Sequence, residues 1–292
     1  MRLEGRVALI TGAGRGIGAA AARELARAGA AVFLVSRTAA ELEEVAGSIA
    51  ASAVAVGFTA ADITEQAAVE RAVQRCSAQL GAPDILVNAA GAYGPIGRAW
   101  EVDPKAWWRA QEINVLGTLL SAAAVLPSMI DRGWGRIVTF SGGGATAPLP
   151  RFSAYAAAKA AVVRLTETLA EEVREHGVTV NAIAPGAVDT RLQDEVLAAG
   201  ERAGELYERI RRLRETGEGG VPPELAASLA VYLASDAAAD VTGKLISAPH
   251  DGWQTWDDAR IAELSGSAWL TLRRLDPYTV RPLLTSLREM DA

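Results

Sequence analysis

Tyr155 and Lys159 stand four residues apart in the alanine-rich stretch Ala154-Tyr155-Ala156-Ala157-Ala158-Lys159-Ala160-Ala161. On a helix that spacing puts a phenol and an ammonium on one face. An unperturbed phenol ionises near pH ~10, too high for ready proton exchange at neutral pH, and a neighbouring ammonium favours the phenolate and lowers that value. The pair is a candidate proton-transfer device. Far upstream, Thr11-Gly12-Ala13-Gly14-Arg15-Gly16-Ile17-Gly18 lies between an apolar run and a helical pattern. Glycines there let the backbone approach a pyrophosphate, and the unpaired N–H groups of the following helix favour its charge. A dinucleotide is the expected ligand of such a loop. After the second predicted strand, an acid would bind the ribose hydroxyls and repel a 2′-phosphate. This chain has Ser36-Arg37 at that place, and Arg15 adds a second guanidinium suited to phosphate. NADP(H) is expected over NAD(H), with NAD(H) as the alternative.

These residues are distant in sequence, so the fold must gather them. Val7–Thr11 is the short apolar run of a strand covered on both faces. Ile17–Ala28 carries an apolar helical stripe closed by Gly29. Strands at Val32–Ser36, Val54–Thr59, Ile85–Asn88, Arg136–Ser141 and Val178–Ile183 then alternate with helices at Ala40–Ser52, Glu65–Leu80, Ala106–Met129 and Ala154–Glu175. Helix Glu224–Leu233 and strand Lys244–Ser247 complete the series. The alternation predicts an α/β fold: a doubly wound, Rossmann-like parallel sheet of about seven strands, with helices on both faces. It occupies residues 1–252, and residues 253–292 form a C-terminal extension. Between Pro185 and Pro223 the pattern loosens, and Glu201–Glu215 carries Arg209, Arg211, Arg212 and Arg214. The arginines suit either a solvated helix face or a lid, and a position after a strand's carboxyl end favours the lid.

The glycine loop, Asp62, Asn88-Ala89-Ala90-Gly91, Asn114, the Tyr155/Lys159 pair and Pro185-Gly186 through Thr190 follow one another in order. In these residues the sequence resembles the short-chain dehydrogenase/reductase family, in its compact single-domain branch, over about residues 4–252. The resemblance implies an NAD(P)-dependent enzyme that interconverts a secondary alcohol and a ketone by hydride transfer. By matching position, Gly12, Gly14, Arg15, Gly16, Ile17, Gly18, Ser36 and Arg37 hold the cofactor, with Asp62 and Ile63 on its adenine. Asn88, Ala89 and Gly91 flank it at the central strand, Pro185 and Gly186 line it, and Thr190 with the Val188 backbone takes the carboxamide. Tyr155 protonates the oxygen that hydride transfer makes alkoxide-like. Lys159 lowers the phenol's pKa and bonds the nicotinamide ribose, while Asn114 retains a water linking the lysine to solvent. On the residues alone, Asp62 also fits a helix cap before Glu65, and Asn88 a turn.

One departure stands out. The family places a serine thirteen positions before the tyrosine, and here that residue is Gly142, preceded by Ser141. Three readings are open: Ser141 takes the carbonyl-orienting role by a one-residue slip; Thr146, Ser153 or a backbone N–H does so; or the site is impaired and the protein is a cofactor-binding regulator or scaffold. A sugar epimerase using transient oxidation is a further alternative.

Composition narrows the rest. A formal charge of -6 disfavours nucleic acid, which needs clustered Lys and Arg. Cys76 is the single cysteine, consistent with a reducing cytoplasm, and the residues before the first strand lack the pattern of a signal peptide, so no export is expected. Unbroken apolar runs such as Leu119–Leu126 stop short of the ~20 residues of a membrane helix, so no membrane segment is expected. His176 and His250 fit no metal spacing. The smooth alanine-rich tyrosine helix, with the long helix before it, suggests pairing across a two-fold axis as a homodimer or homotetramer. The pocket is expected to take a small carbonyl or alcohol substrate. Trp253, Trp256, Trp269, Arg273, Arg274 and Tyr278 in the tail suit either a substrate wall or a hydrophobic strap on this or a neighbouring subunit.

Overall fold

The structure is a computed structural model and describes residues 1–49 and 52–274. Its elements run β1 (Val7–Thr11), α1 (Gly16–Arg27), β2 (Ala31–Ser36), α2 (Ala39–Ile49), β3 (Val56–Ala60), α3 (Gln66–Gln79) and β4 (Ile85–Asn88). Next come α4 (Pro104–Gln111), α5 (Gly117–Arg132), β5 (Gly135–Phe140), α6 (Ser153–Glu172) and β6 (Val178–Ala184). The chain continues with α7 (Arg191–Ala199), α8 (Glu205–Thr216), α9 (Pro223–Ala234), β7 (Leu245–Ser247) and α10 (Asp258–Gly266). All seven strands pair in parallel, in the order β3-β2-β1-β4-β5-β6-β7. The chain reverses its winding between β1 and β4, and in open α/β sheets the crevice at such a switch point, beyond the strands' carboxyl ends, binds ligand.

Alternation along each strand builds two cores. Ile10, Leu34, Val87, Val138 and Ile183 face α1 and α9 on one side. Leu9, Phe33, Leu86, Ile137 and Val180 face α3, α5 and α6 on the other. Burial on both sides is why β1, β2 and β4 read as nearly continuous apolar runs.

The helix predicted over Ala106–Met129 is a longer path with an interruption. Asp103 caps its start, accepting from the N–H groups of Lys105 and Ala106, with Pro104 in the first turn. Between α4 and α5, Glu112–Leu116 forms a π-helical turn, and Gly133 (φ +66°) ends the path in the left-handed conformation. The π-turn centres on Asn114, whose inward side chain donates to the carbonyls of Ala92 and Ala110. Within this 29-residue path an 18-residue window reaches a mean hydropathy of 1.8, long and apolar enough by length and composition alone to cross a bilayer, as core helices of soluble proteins also can be. Here Ala122, Val125 and Met129 pack it onto the sheet.

The tail beyond Gly252 straps the far side of the domain. Trp253 and Trp256 lie against Tyr232 at centroid separations of 5.5 and 6.3 Å. Leu245 in β7 donates its backbone N–H to Leu270 O (2.7 Å), and Lys244 Nζ donates to Ser267 O and Trp269 O. Arg273 pairs with the buried Glu167 (3.0 Å). Tyr278 lies outside the described residues.

Candidate active site

A cleft of about 270 Å³ opens at the carboxyl ends of β1 and β4. Its floor is the glycine loop. Gly12 (φ +67°) tolerates no side chain, because a Cβ would sit 2.5 Å from Ala90 N, and one on Gly18 would sit 2.8 Å from the carbonyl carbon of Gly12. The loop feeds α1, whose N-cap residue Arg15 makes no side-chain cap, so the first helical N–H groups stay available to an anion. The bare cradle, the helix start and the cleft's extent fit a dinucleotide.

Gly14, Arg15, Gly16, Ile17, Ser36, Arg37, Asp62, Ile63, Ala89, Gly91, Pro185 and Thr190 line the same cleft. Asp62 accepts from Thr64 N and Oγ1 (2.9 and 2.8 Å) and pairs with Arg109 (2.9 Å), so it both borders the cleft and fixes the turn into α3. Burial pushes its carboxyl up, but the Thr64 hydrogen bonds and the Arg109 charge outweigh that and hold it below the usual range. Gly117 is open enough for Ile63 to pack close; a Cβ there would meet Ile63 Cγ1 at 2.8 Å.

Four expected residues do not line the cleft. Asn88 is buried beneath it, accepting from Thr11 Oγ1 (3.3 Å) and leaving its Nδ2 without a partner. Asn114 is buried, and Gly186 (φ +84°) turns the chain against Val221. Val188 is buried, its N–H donates to Gly186 O (3.2 Å) and its carbonyl accepts from Gln193 Nε2 (3.3 Å), which leaves the carbonyl a second lone pair. Sequence reading missed Thr38, Glu41, Ile113 and Phe140 among the lining. Glu41 is an acid in a helix, where no spacing rule flags it.

At the inner end, α6 presents Tyr155 and Lys159, 8% and 6% exposed. Lys159 Nζ donates to Phe140 O (2.8 Å) and lies 5.5 Å from the Tyr155 ring centroid. Gly91 is the common neighbour: a Cβ there would be 3.0 Å from Asn114 Oδ1 and 3.5 Å from Lys159 Nζ. Burial dominates the electrostatics. It raises the Tyr155 phenol, with Tyr93 adding to the shift, and lowers Lys159 to about 8, because each charged form loses water. The expected depression of Tyr155 by Lys159 is thus not the balance within the chain alone, where the ammonium is engaged with a backbone carbonyl.

At the segment after β5, the space beside Gly142 is already filled. A Cβ on Gly142 would fall inside contact distance of Tyr155 Oη and 3.0 Å from its Cζ, so the tyrosine hydroxyl occupies the room a side chain needs. Ser141 is 3% exposed, its backbone N–H donates to Ile183 O (2.8 Å), and its Oγ has no hydrogen-bond partner. Yet Ser141 lines the cleft with Phe140, Tyr155 and Lys159.

Above the tyrosine lies a separate apolar cluster. Tyr93 packs edge-on against Tyr155 (4.7 Å) and Phe152 (5.2 Å), and Val196, Ala203, Ile210 and Leu213 from α7, α8 and their connection close over them. Burial pushes the Tyr93 phenol up to about 12. Both readings of the arginine-rich helix hold in part: α8 turns Ile210 and Leu213 inward, while Arg211 pairs with Glu208 and Arg214 with Asp189 and Asp194 on its outer side. Trp253, Trp256, Trp269 and Arg273 do not line the cleft. Among the described residues, no three His, Cys, Asp or Glu side chains gather to hold a metal ion.

Comparison with known proteins agrees with this geometry. Residues 6–200 match the profile of the short chain dehydrogenase family. D-threitol dehydrogenase of Mycolicibacterium smegmatis is 38% identical over 244 residues, covering 83% of this chain and 90% of that one. Among solved structures, a single-residue variant of actinorhodin polyketide ketoreductase with NADPH superposes with a TM-score of 0.78 at 30% identity, over 85% of this chain and 97% of that one. NAD⁺-bound xylitol dehydrogenase superposes at 0.79 and 27% identity, over 85% and 98%. The chain belongs to the short-chain dehydrogenase/reductase family and is an oxidoreductase of CH–OH groups.

Proposed function

We propose that the protein is an NADP(H)-dependent oxidoreductase in which Tyr155 moves the proton as a secondary alcohol and a ketone interconvert. The carrying observation is the meeting of Tyr155, Lys159 and the unpartnered Ser141 hydroxyl at the inner end of the glycine-loop cleft. The bound nicotinamide supplies or accepts the hydride. Gly12, Gly14, Gly16 and Gly18 admit its pyrophosphate, Asp62 and Ile63 border the adenine, and Thr190 borders the nicotinamide. Lys159 bonds the ribose, and the Asn114 region passes protons from the lysine to solvent.

Ser141 is the proposed carbonyl-orienting donor. A buried hydroxyl without a partner costs about 1–3 kcal/mol, which a substrate oxygen recovers by accepting from it. Ser141→Ala therefore lowers kcat about 10²-fold, the usual effect of removing one oxyanion donor, while the melting temperature stays level or rises. Unchanged turnover in steady-state NADPH oxidation would remove Ser141 from the role.

NADP(H) preference rests on Arg37, which lines the cleft beside Ser36 and makes no ion pair among the described residues. Charge-assisted guanidinium–phosphate bonds are worth about 1.5–3 kcal/mol, so Arg37→Ala weakens NADP⁺ at least tenfold and leaves NAD⁺ nearly unchanged. Titration of both cofactors into both proteins checks this; an unaltered preference overturns it.

The substrate is a small carbonyl or alcohol that fits under Tyr93 and Phe152. A two-fold assembly through α4–α6 belongs to the same proposal, supported by the exposed Trp108, Leu116 and Leu119. So does a reducing, cytoplasmic setting, supported by the lone buried Cys76.

A further inference from the structure

Glu41, one turn into α2, reaches back into the cleft. Its Oε1 accepts from Arg15 Nη1 (3.2 Å) in the glycine loop and from Arg191 Nη1 (2.9 Å) at the start of α7. A Cβ on Gly14 would lie 3.0 Å from both Glu41 Oε2 and Ser36 Oγ, so carboxylate, hydroxyl and glycine loop converge on one spot. The Glu41 side chain is 23% exposed, against 54% and 66% for its two partners. This is the place, beside Ser36 and Arg37, where a ribose 2′-substituent is expected.

A carboxylate there acts in three ways. It occupies the Arg15 donors that a 2′-phosphate needs. It adds like-charge repulsion to a dianion. It offers an acceptor to a free ribose hydroxyl, the role an acid after the second strand plays in NAD(H) binding. Arg37 pulls the other way.

We infer that Glu41 is a cofactor-selectivity residue that holds this enzyme back from a strong preference for NADP(H), keeping NAD(H) usable. The inference rests on the proposed binding of a nicotinamide dinucleotide in this cleft. Neutralising Glu41 frees two guanidiniums while leaving α2 and the glycine loop in place.

The test is calorimetric titration of NADP⁺, NAD⁺, adenosine 2′,5′-bisphosphate and AMP into wild type and Glu41→Gln. We expect the NADP⁺-to-NAD⁺ affinity ratio to rise about tenfold, with the same gain for the bisphosphate over AMP, and Arg15→Gln in the Glu41→Gln background to cancel most of it. Glu41→Ala gives the same direction without an amide near the ribose. A ratio within twofold of wild type in both variants, or one that falls, overturns the inference. Failure of the underlying reading looks different: neither dinucleotide binds wild type, or Arg37→Ala leaves its ratio untouched.

Discussion

Replacing Tyr155 with Phe leaves a protein that folds and binds its cofactor but reduces ketones about a thousandfold more slowly, within the 10²–10⁴ range of positioned proton donors. The phenylalanine ring keeps the edge-on packing against Tyr93 at 4.7 Å, so only the hydroxyl is lost. The direction of the pH dependence follows from burial. With the phenol held above its ordinary value, the protonated form persists through neutral pH, so reduction, which consumes that proton, stays level there. Alcohol oxidation needs the phenolate and climbs with pH. Lys159, lowered to about 8, loses its charge as pH passes that point, and its support for the phenolate fades above it. Single-turnover kinetics in both directions, with cofactor affinity measured separately, check these statements. A Tyr155→Phe enzyme within tenfold of wild type would mean that another group supplies the proton.

Restoring the family's usual serine also breaks this enzyme. Gly142→Ser puts a Cβ where Tyr155 Oη already lies, so the phenol must shift, and its ring packs against Tyr93 and Phe152. Overpacking of this kind costs about 1–3 kcal/mol, and a 1 Å displacement of a reacting group costs about 10² in rate. The expected result is a melting temperature lower by several degrees and kcat down about a hundredfold, with cofactor affinity retained. A more active Gly142→Ser enzyme would show that the tyrosine moves aside and that Ser141 is not the donor. Glycine at 142 and the orphaned hydroxyl at 141 are thus two sides of one arrangement.

Much of this was legible because burial on both faces writes a strand as a nearly unbroken apolar run, and β1, β2 and β4 are such runs. The glycine loop was legible for a similar reason: only glycine survives where a Cβ would strike Ala90 or Gly12. The π-turn at Asn114 was not, since one extra residue in a helix leaves the apolar stripe almost unchanged. Nor was the role of Gly142, which depends on where a side chain thirteen residues away comes to rest. Glu41 stayed hidden because a helical acid pairing with arginines 26 residues before it and 150 after it has no local signature. The tail tryptophans allowed two placements, and the contacts with Tyr232 and β7 distinguish them only in three dimensions.

The bond from Leu245 N–H to Leu270 O has a consequence beyond the site. β7 is the last strand of the sheet, and an outermost strand with open amides is a template on which another chain's strand can grow. By placing Leu270 O on that border, the molecule occupies one of the outward amides of β7 with its own tail, while Arg273 holds the same tail to Glu167 of α6.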